Sequence, residues 1–177
     1  MPSIALSDWS HPVVEIPNNG LSRERTVAGE SLLLLAQQLD MLSLSNVTSS
    51  YRIERLAGGG YRLKGRVSAT GEQACIVSLD PVPAQIDETF DVEFWPELPD
   101  ASGGEDKAIL TARDVEPLED GAIPLGRIVF ECLSAGVDPY PRKDGAEFSW
   151  TDKAESPAGK VSPFAALAKL KTPPEKK

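Results

Sequence analysis

Histidine is almost missing from this chain: His11 is the only one in 177 residues. A Ser-His relay or a histidine-based metal cluster therefore has too few members, since each needs imidazole beside other converging groups. Cysteine is nearly as scarce. Cys75 and Cys132 lie far apart among apolar neighbours, and such cysteines read as reduced, buried thiols rather than a disulfide framework. No long apolar run occurs; the longest, Leu32 to Ala36, falls far short of the ~20 residues of a membrane span. Met1 to Asp8 has no basic n-region and no apolar core with a small-residue cleavage site, so the expected address is the cytoplasm. The "AGGGYRLKG" stretch lacks the Lys-Ser/Thr of a P-loop and the glycine spacing of a dinucleotide site. Carboxylates are plentiful over 87–120, but no spacing singles out a pair for acid–base chemistry or magnesium. No enzymatic constellation is found, and no cofactor, metal or small-molecule substrate is expected.

What remains is ordinary for one soluble domain: 41% apolar residues, 25% charged and a net charge of −9. That sign opposes whole-surface attraction to nucleic acid or anionic lipid, but it leaves room for a local basic face. Along the chain, Trp9 to Ile16 reads as a short edge strand before a "PNNG" turn. Leu32, Leu35, Ala36 and Leu39 recur at helical spacing, predicting a half-buried helix over Glu30 to Leu42 with Thr26 as N-cap. Alternation then predicts a hairpin, Ser50 to Leu56 with Gly60 to Ala69, around the glycines at 57–60. A third strand is expected at Ala74 to Leu79, ended by "DPVP". Phe90, Val92 and Phe94 alternate with Asp91 and Glu93 in another. Residues 96–106 read as a loop, and 109–126 as short extended pieces around an Asp-Gly turn.

The cleanest helical stripe follows: Leu125, Ile128, Val129, Cys132, Leu133 and Val137 predict a helix over 125–137. Residues 1–150 are thus expected to form a single α+β domain. It has a twisted antiparallel sheet, with the option of barrel-like closure, packed with two principal helices. A flexible connector (151–161), a short C-terminal helix (162–171, Ser162 as cap and Pro163 at its first position) and a disordered tail (172–177) complete the reading.

Charge is segregated. Asp87 to Asp120 holds twelve acidic residues against Lys107 and Arg113, a balance of −10 in 34 residues. The hairpin is the reverse: Arg52, Arg55, Arg62, Lys64 and Arg66 against Glu54, a balance of +4. Arg52, Arg62, Lys64 and Arg66 share one face by alternation and are candidate phosphate contacts, or else a solvated strand face balanced by the acidic segment. After the second helix comes "DPYPRKDGAEF". Pro139 stops the helix at Asp138, Pro141 stiffens the exit and "KDG" turns the chain, with Phe148 expected inward. Asp138, Pro139, Tyr140, Pro141, Arg142 and Lys143 thereby form a rigid corner, an aromatic beside two cations. It serves equally as an interaction surface or as a structural joint.

The run "EPLEDGAIPLGRIVFECLSAGVDPYPRKDGAEF", with "SPFAALAKLK" after a gap, resembles the YceD family of large-ribosomal-RNA accumulation proteins. "ATGEQACIVSLDPV" and "FDVEFWPE" extend the likeness more weakly. Family members often carry a Cys-x-x-Cys-like pair where this chain has "EQAC", with Glu72 in place of the first cysteine and Cys75 matching the second; this departs from a structural zinc site. The resemblance implies a non-enzymatic, acidic accessory factor in synthesis, processing or stability of 23S ribosomal RNA. The partners implied are 23S rRNA or its precursor, or a ribosomal or rRNA-processing protein. The rival expectation is an acidic adaptor that binds a basic protein through 87–120 and the terminal helix, without RNA contact.

Overall fold

The computed structural model describes residues 5–97 and 114–148. The chain divides into Met1–Ala146 and Glu147–Lys177. The first unit is an α+β fold on a mixed sheet of order β2-β3-β4-β5-β6. Its strands are β2 (Leu21–Thr26), β3 (Ser43–Arg55), β4 (Tyr61–Ala74), β5 (Pro81–Trp95) and β6 (Asp114–Pro117). β1 (His11–Pro12) pairs apart with β7 (Ala122–Ile123), His11 opposite Ile123. Two helices complete the unit, α1 (Glu30–Gln38) and α2 (Leu125–Gly136).

All ladders of the large sheet are antiparallel except β5–β6, which is parallel. The sheet is therefore mixed, and the expected all-antiparallel arrangement is corrected at one edge. β2 and β6 are its two ends, and no pairing between them closes a barrel among the described residues. Burial follows the period of two: Val47, Tyr51 and Ile53, Leu63, Val67 and Ala69, and Ile86, Phe90, Val92 and Phe94 face one common core. In β3 the buried set changes parity, from Leu44 to Val47, because Ser45 is an extra residue between Leu44 and Asn46. α1 lies against β3, and α2 against β5 and β4. α2 buries Leu125, Ile128, Val129 and Leu133.

Several expectations need correction. Ala74 to Leu79 is not a separate strand: β4 continues to Ala74, residues 75–80 turn, and β5 starts at Pro81. The prolines mark a beginning rather than an end. They are tolerated in β5 because β6 covers only Val92 to Trp95, leaving that edge free at 81–83. The Trp9–Ile16 strand shrinks to His11–Pro12, followed by a 3-10 turn at Val13–Glu15. Thr26 is no helix cap but the last residue of β2, paired with Thr48. α1 stops at Gln38, not Leu42, because Asp40 takes φ +53°. Met41 N–H then reaches the Ala36 carbonyl (2.9 Å) and Asp40 N–H that of Gln37 (3.3 Å), a Schellman closure. Phe148 is exposed, not inward. The connector (151–161), the C-terminal helix (162–171), the tail (172–177) and most of the 96–106 loop lie outside the described residues.

Candidate interaction surfaces

The corner is built from the end of α2 and the β4–β5 turn. Val137 leaves the helix in an extended conformation, its N–H still on the Leu133 carbonyl. Asp138 caps the exit, its carboxylate accepting from Tyr140 N–H at 2.9 Å, an Asx turn. Its carbonyl accepts from the Gln73 side chain at 2.8 Å. Pro141 is buried and its carbonyl accepts from Ile76 N–H at 2.9 Å. Lys143 pairs through Nζ with Asp80 (2.9 Å).

Beneath this clamp sits Cys75, with 0% exposure. Its sulfur accepts from the N–H groups of Lys143 (3.4 Å), Val77 (3.4 Å) and Ser78 (3.5 Å). The Lys143 amide, then the Ser78 side chain and amide, pull the thiol down to about 6 against the opposing effect of burial. The sulfur belongs to the joint. Glu72, the residue in the place of a first zinc cysteine, instead accepts from Ser43 Oγ on the exposed face (3.2 Å). No three His, Cys, Asp or Glu side chains among the described residues could hold a metal ion together. These donors do not fit a zinc site.

Above the joint, Tyr140 is 70% exposed, and Arg142 is exposed with no carboxylate partner among the described residues. Leu42, Ile76 and Leu79 are large apolar side chains exposed at the same end of the sheet, Leu79 at 75%. Leu79 also holds φ +63°, a left-handed conformation that costs a branched residue about 1–2 kcal/mol. Its N–H bonds the Cys75 carbonyl (2.9 Å), which fixes the turn in that shape. A groove of about 320 Å³ runs past Leu42, Ile76, Val137 and Pro139. Asp40 and Asp138 line it and are exposed. The corner is thus a buttressed apolar prominence that carries both charge signs, Asp40 and Asp138 along the groove and Arg142 and Lys143 on the exit.

The hairpin cations are placed on one exposed face, as alternation predicts, but none is left free. Arg62 forms a two-pronged pair with Asp91 (2.7 and 2.6 Å), and Lys64 reaches the same carboxylate at 3.5 Å. Arg66 grips Asp87 in the same manner. Arg52 bonds Glu54 (2.6 Å), Ser22 Oγ and the Asn19 carbonyl. Asp91 and Asp87 stay below the usual carboxylate range because of these arginines. Each of these four cations, expected as a candidate phosphate contact or as part of a balanced strand face, has a carboxylate partner here. The acids of β5 lie against the hairpin, so the two opposite charge balances largely cancel where they meet.

A different cluster escaped the sequence reading. Arg23 and Arg25, on β2, face the opposite side of the sheet, in register with Tyr51 and Ser49. The Arg25 guanidinium lies 5.5 Å over the Trp9 ring. Tyr51 Oη is 2.7 Å from His11 Nε2. β2 has no apolar alternation, "LSRERT", so no strand signal assigned its arginines to a face.

No family model matches the chain, and no curated protein or solved structure matches it either. The fold and its surfaces define an α+β protein with an open mixed sheet and a buttressed apolar corner. Among the described residues no helix is long and apolar enough to cross a membrane.

Proposed function

We propose that this chain is a non-enzymatic accessory factor for accumulation of large-subunit ribosomal RNA, working through contact with a basic protein at the corner 138–143. The ribosomal half of this reading rests on the resemblance of Glu116 to Phe148 to the YceD family. The mode of contact rests on one observation: Arg52, Arg62, Lys64 and Arg66 are paired with carboxylates, while the corner offers exposed Tyr140, Leu79, Ile76 and Leu42 beside the exposed Asp40 and Asp138. Exposed apolar groups on rigid backbone suit a protein partner, and the exposed Asp40 and Asp138 along the groove offer carboxylates to its cations. They suit RNA backbone poorly. The rival, an acidic adaptor acting through 87–120 and the terminal helix, remains distinct from this reading; of its acids, Asp87 and Asp91 hold arginines.

The test is affinity capture from cell lysate with and without nuclease, using wild type and the triple variant Tyr140→Ala, Arg142→Ala, Lys143→Ala. The expected result is a basic ribosomal or processing protein that survives nuclease and is lost with a triple variant of unchanged circular dichroism. Capture that vanishes with nuclease would replace protein contact by direct RNA contact. Unaltered large-subunit rRNA levels after depletion of the chain would sink the ribosomal half.

A further inference from the structure

We infer that Arg23 and Arg25 form a binding site for phosphate-bearing anions at the β2 edge of the sheet, beside Trp9, His11 and Tyr51. The site is independent of the corner and of the partner proposed there. Six described cations, Arg52, Arg62, Lys64, Arg66, Arg127 and Lys143, have carboxylate partners. Arg23 is exposed and Arg25 partly so, and neither pairs with a carboxylate among the described residues. In a chain of net charge −9, two neighbouring guanidinium groups without counter-charge are unusual company.

Their placement suits a tetrahedral anion. Residues two apart on a strand project from the same face, with Cα atoms about 6.5–7 Å apart. Two guanidinium forks at that spacing can each give parallel N–H bonds to one phosphate. Arg25 is already held over the Trp9 face, so part of its side-chain freedom is lost before an anion arrives. Trp9 is 8% exposed and already carries Arg25 over its ring, which leaves no face for a base. The recognition is therefore of phosphate, not of nucleotide sequence. β2 is the end strand of the sheet, so its side chains can be approached from the edge.

The same cluster contains its own reporter. His11 is the only histidine, and its resonances in a proton NMR spectrum are unambiguous. Burial holds its pKa below the ordinary value, helped by Arg25 and Arg23, while Glu15 acts the other way. Tyr51 on β3 is the remaining titratable group in contact. A bound anion offsets the two arginines, so the His11 titration midpoint must rise.

The experiment titrates the full chain with inorganic pyrophosphate, and separately with a short single-stranded oligoribonucleotide, following His11. The expected result is a saturable displacement with an upward shift of the midpoint, and at least tenfold weaker binding in Arg23→Ala. Arg142→Ala, a surface arginine elsewhere, should bind as wild type does. Arg23 is exposed and has no carboxylate partner among the described residues, so its variant is expected to keep the wild-type circular dichroism; Arg25→Lys, keeping the charge but losing the fork, should weaken binding less than Arg23→Ala. Tighter binding of the oligoribonucleotide assigns the site to an RNA backbone, and tighter binding of pyrophosphate to a free anion. No saturable displacement with either probe, or equal affinities for wild type and Arg23→Ala, overturns the proposal. Loss of capture in the corner variants leaves this result untouched.

Discussion

At Cys75, three amide N–H groups converge on one sulfur with no exposed surface. Replacing it by alanine removes their common acceptor, and a net hydrogen bond is worth roughly 0.5–1.5 kcal/mol; urea unfolding of Cys75→Ala should read a loss of that order. The thiol also makes stability depend on pH. Its folded pKa, about 6, lies below the ordinary 9.0, so across that interval the unfolded chain binds more protons. Stability therefore rises from pH 6 to pH 9, is fully present above the ordinary value and is lost as pH falls through 6. A pH series of unfolding midpoints should show this slope in wild type and a flatter one in Cys75→Ala. Leu79, one turn away, is a separate case. Leu79→Asn relieves the left-handed strain, so the expected outcome is a slightly raised melting temperature together with weaker partner capture.

Among the elements, β4 and β5 show why residue type matters even inside a regular ladder. Gly65 faces Phe90 across the strands. A methyl group there would meet the ring at 2.4 Å and the Ser50 carbonyl at 2.7 Å. Gly65→Ala is accordingly expected to cost about 1–3 kcal/mol by overpacking, read as a lowered urea midpoint. Much of this layer was legible beforehand: α2 is found within one residue of its stripe, and the hairpin turn at 56–60 and the Asp120–Gly121 turn lie where glycine suggested. What misled was local chemistry overridden by tertiary partners. "DPVP" looks like a strand end only until an open edge tolerates its prolines, and "SLLLLAQQLDML" looks longer than α1 until Asp40 bends it shut. Of the candidate sites, the corner was legible because prolines act through their own backbone. The pairing of Arg62 with Asp91 needed the register, which alternation does not supply.

At the scale of the molecule, four hairpin cations among the described residues are held by carboxylates of β3 and β5. Converting Arg52, Arg62, Lys64 and Arg66 together to alanine would deepen the net charge by four. The expected outcome is lower stability at low salt, partly restored as salt screens the freed carboxylates, with capture of the corner's partner unchanged. Thermal melts in two salt concentrations and the same lysate capture check both halves. The long central strands have a consequence of another kind. From Ser43, near the corner, to Tyr51, beside the two unpaired arginines, β3 runs eight residues, or about 25 Å at the rise of a pleated strand. The sheet sets the spacing between the two proposed contacts. An assembly that offers a basic protein and a phosphate at that separation would be held at millimolar effective concentration after its first touch, while either component alone would come and go.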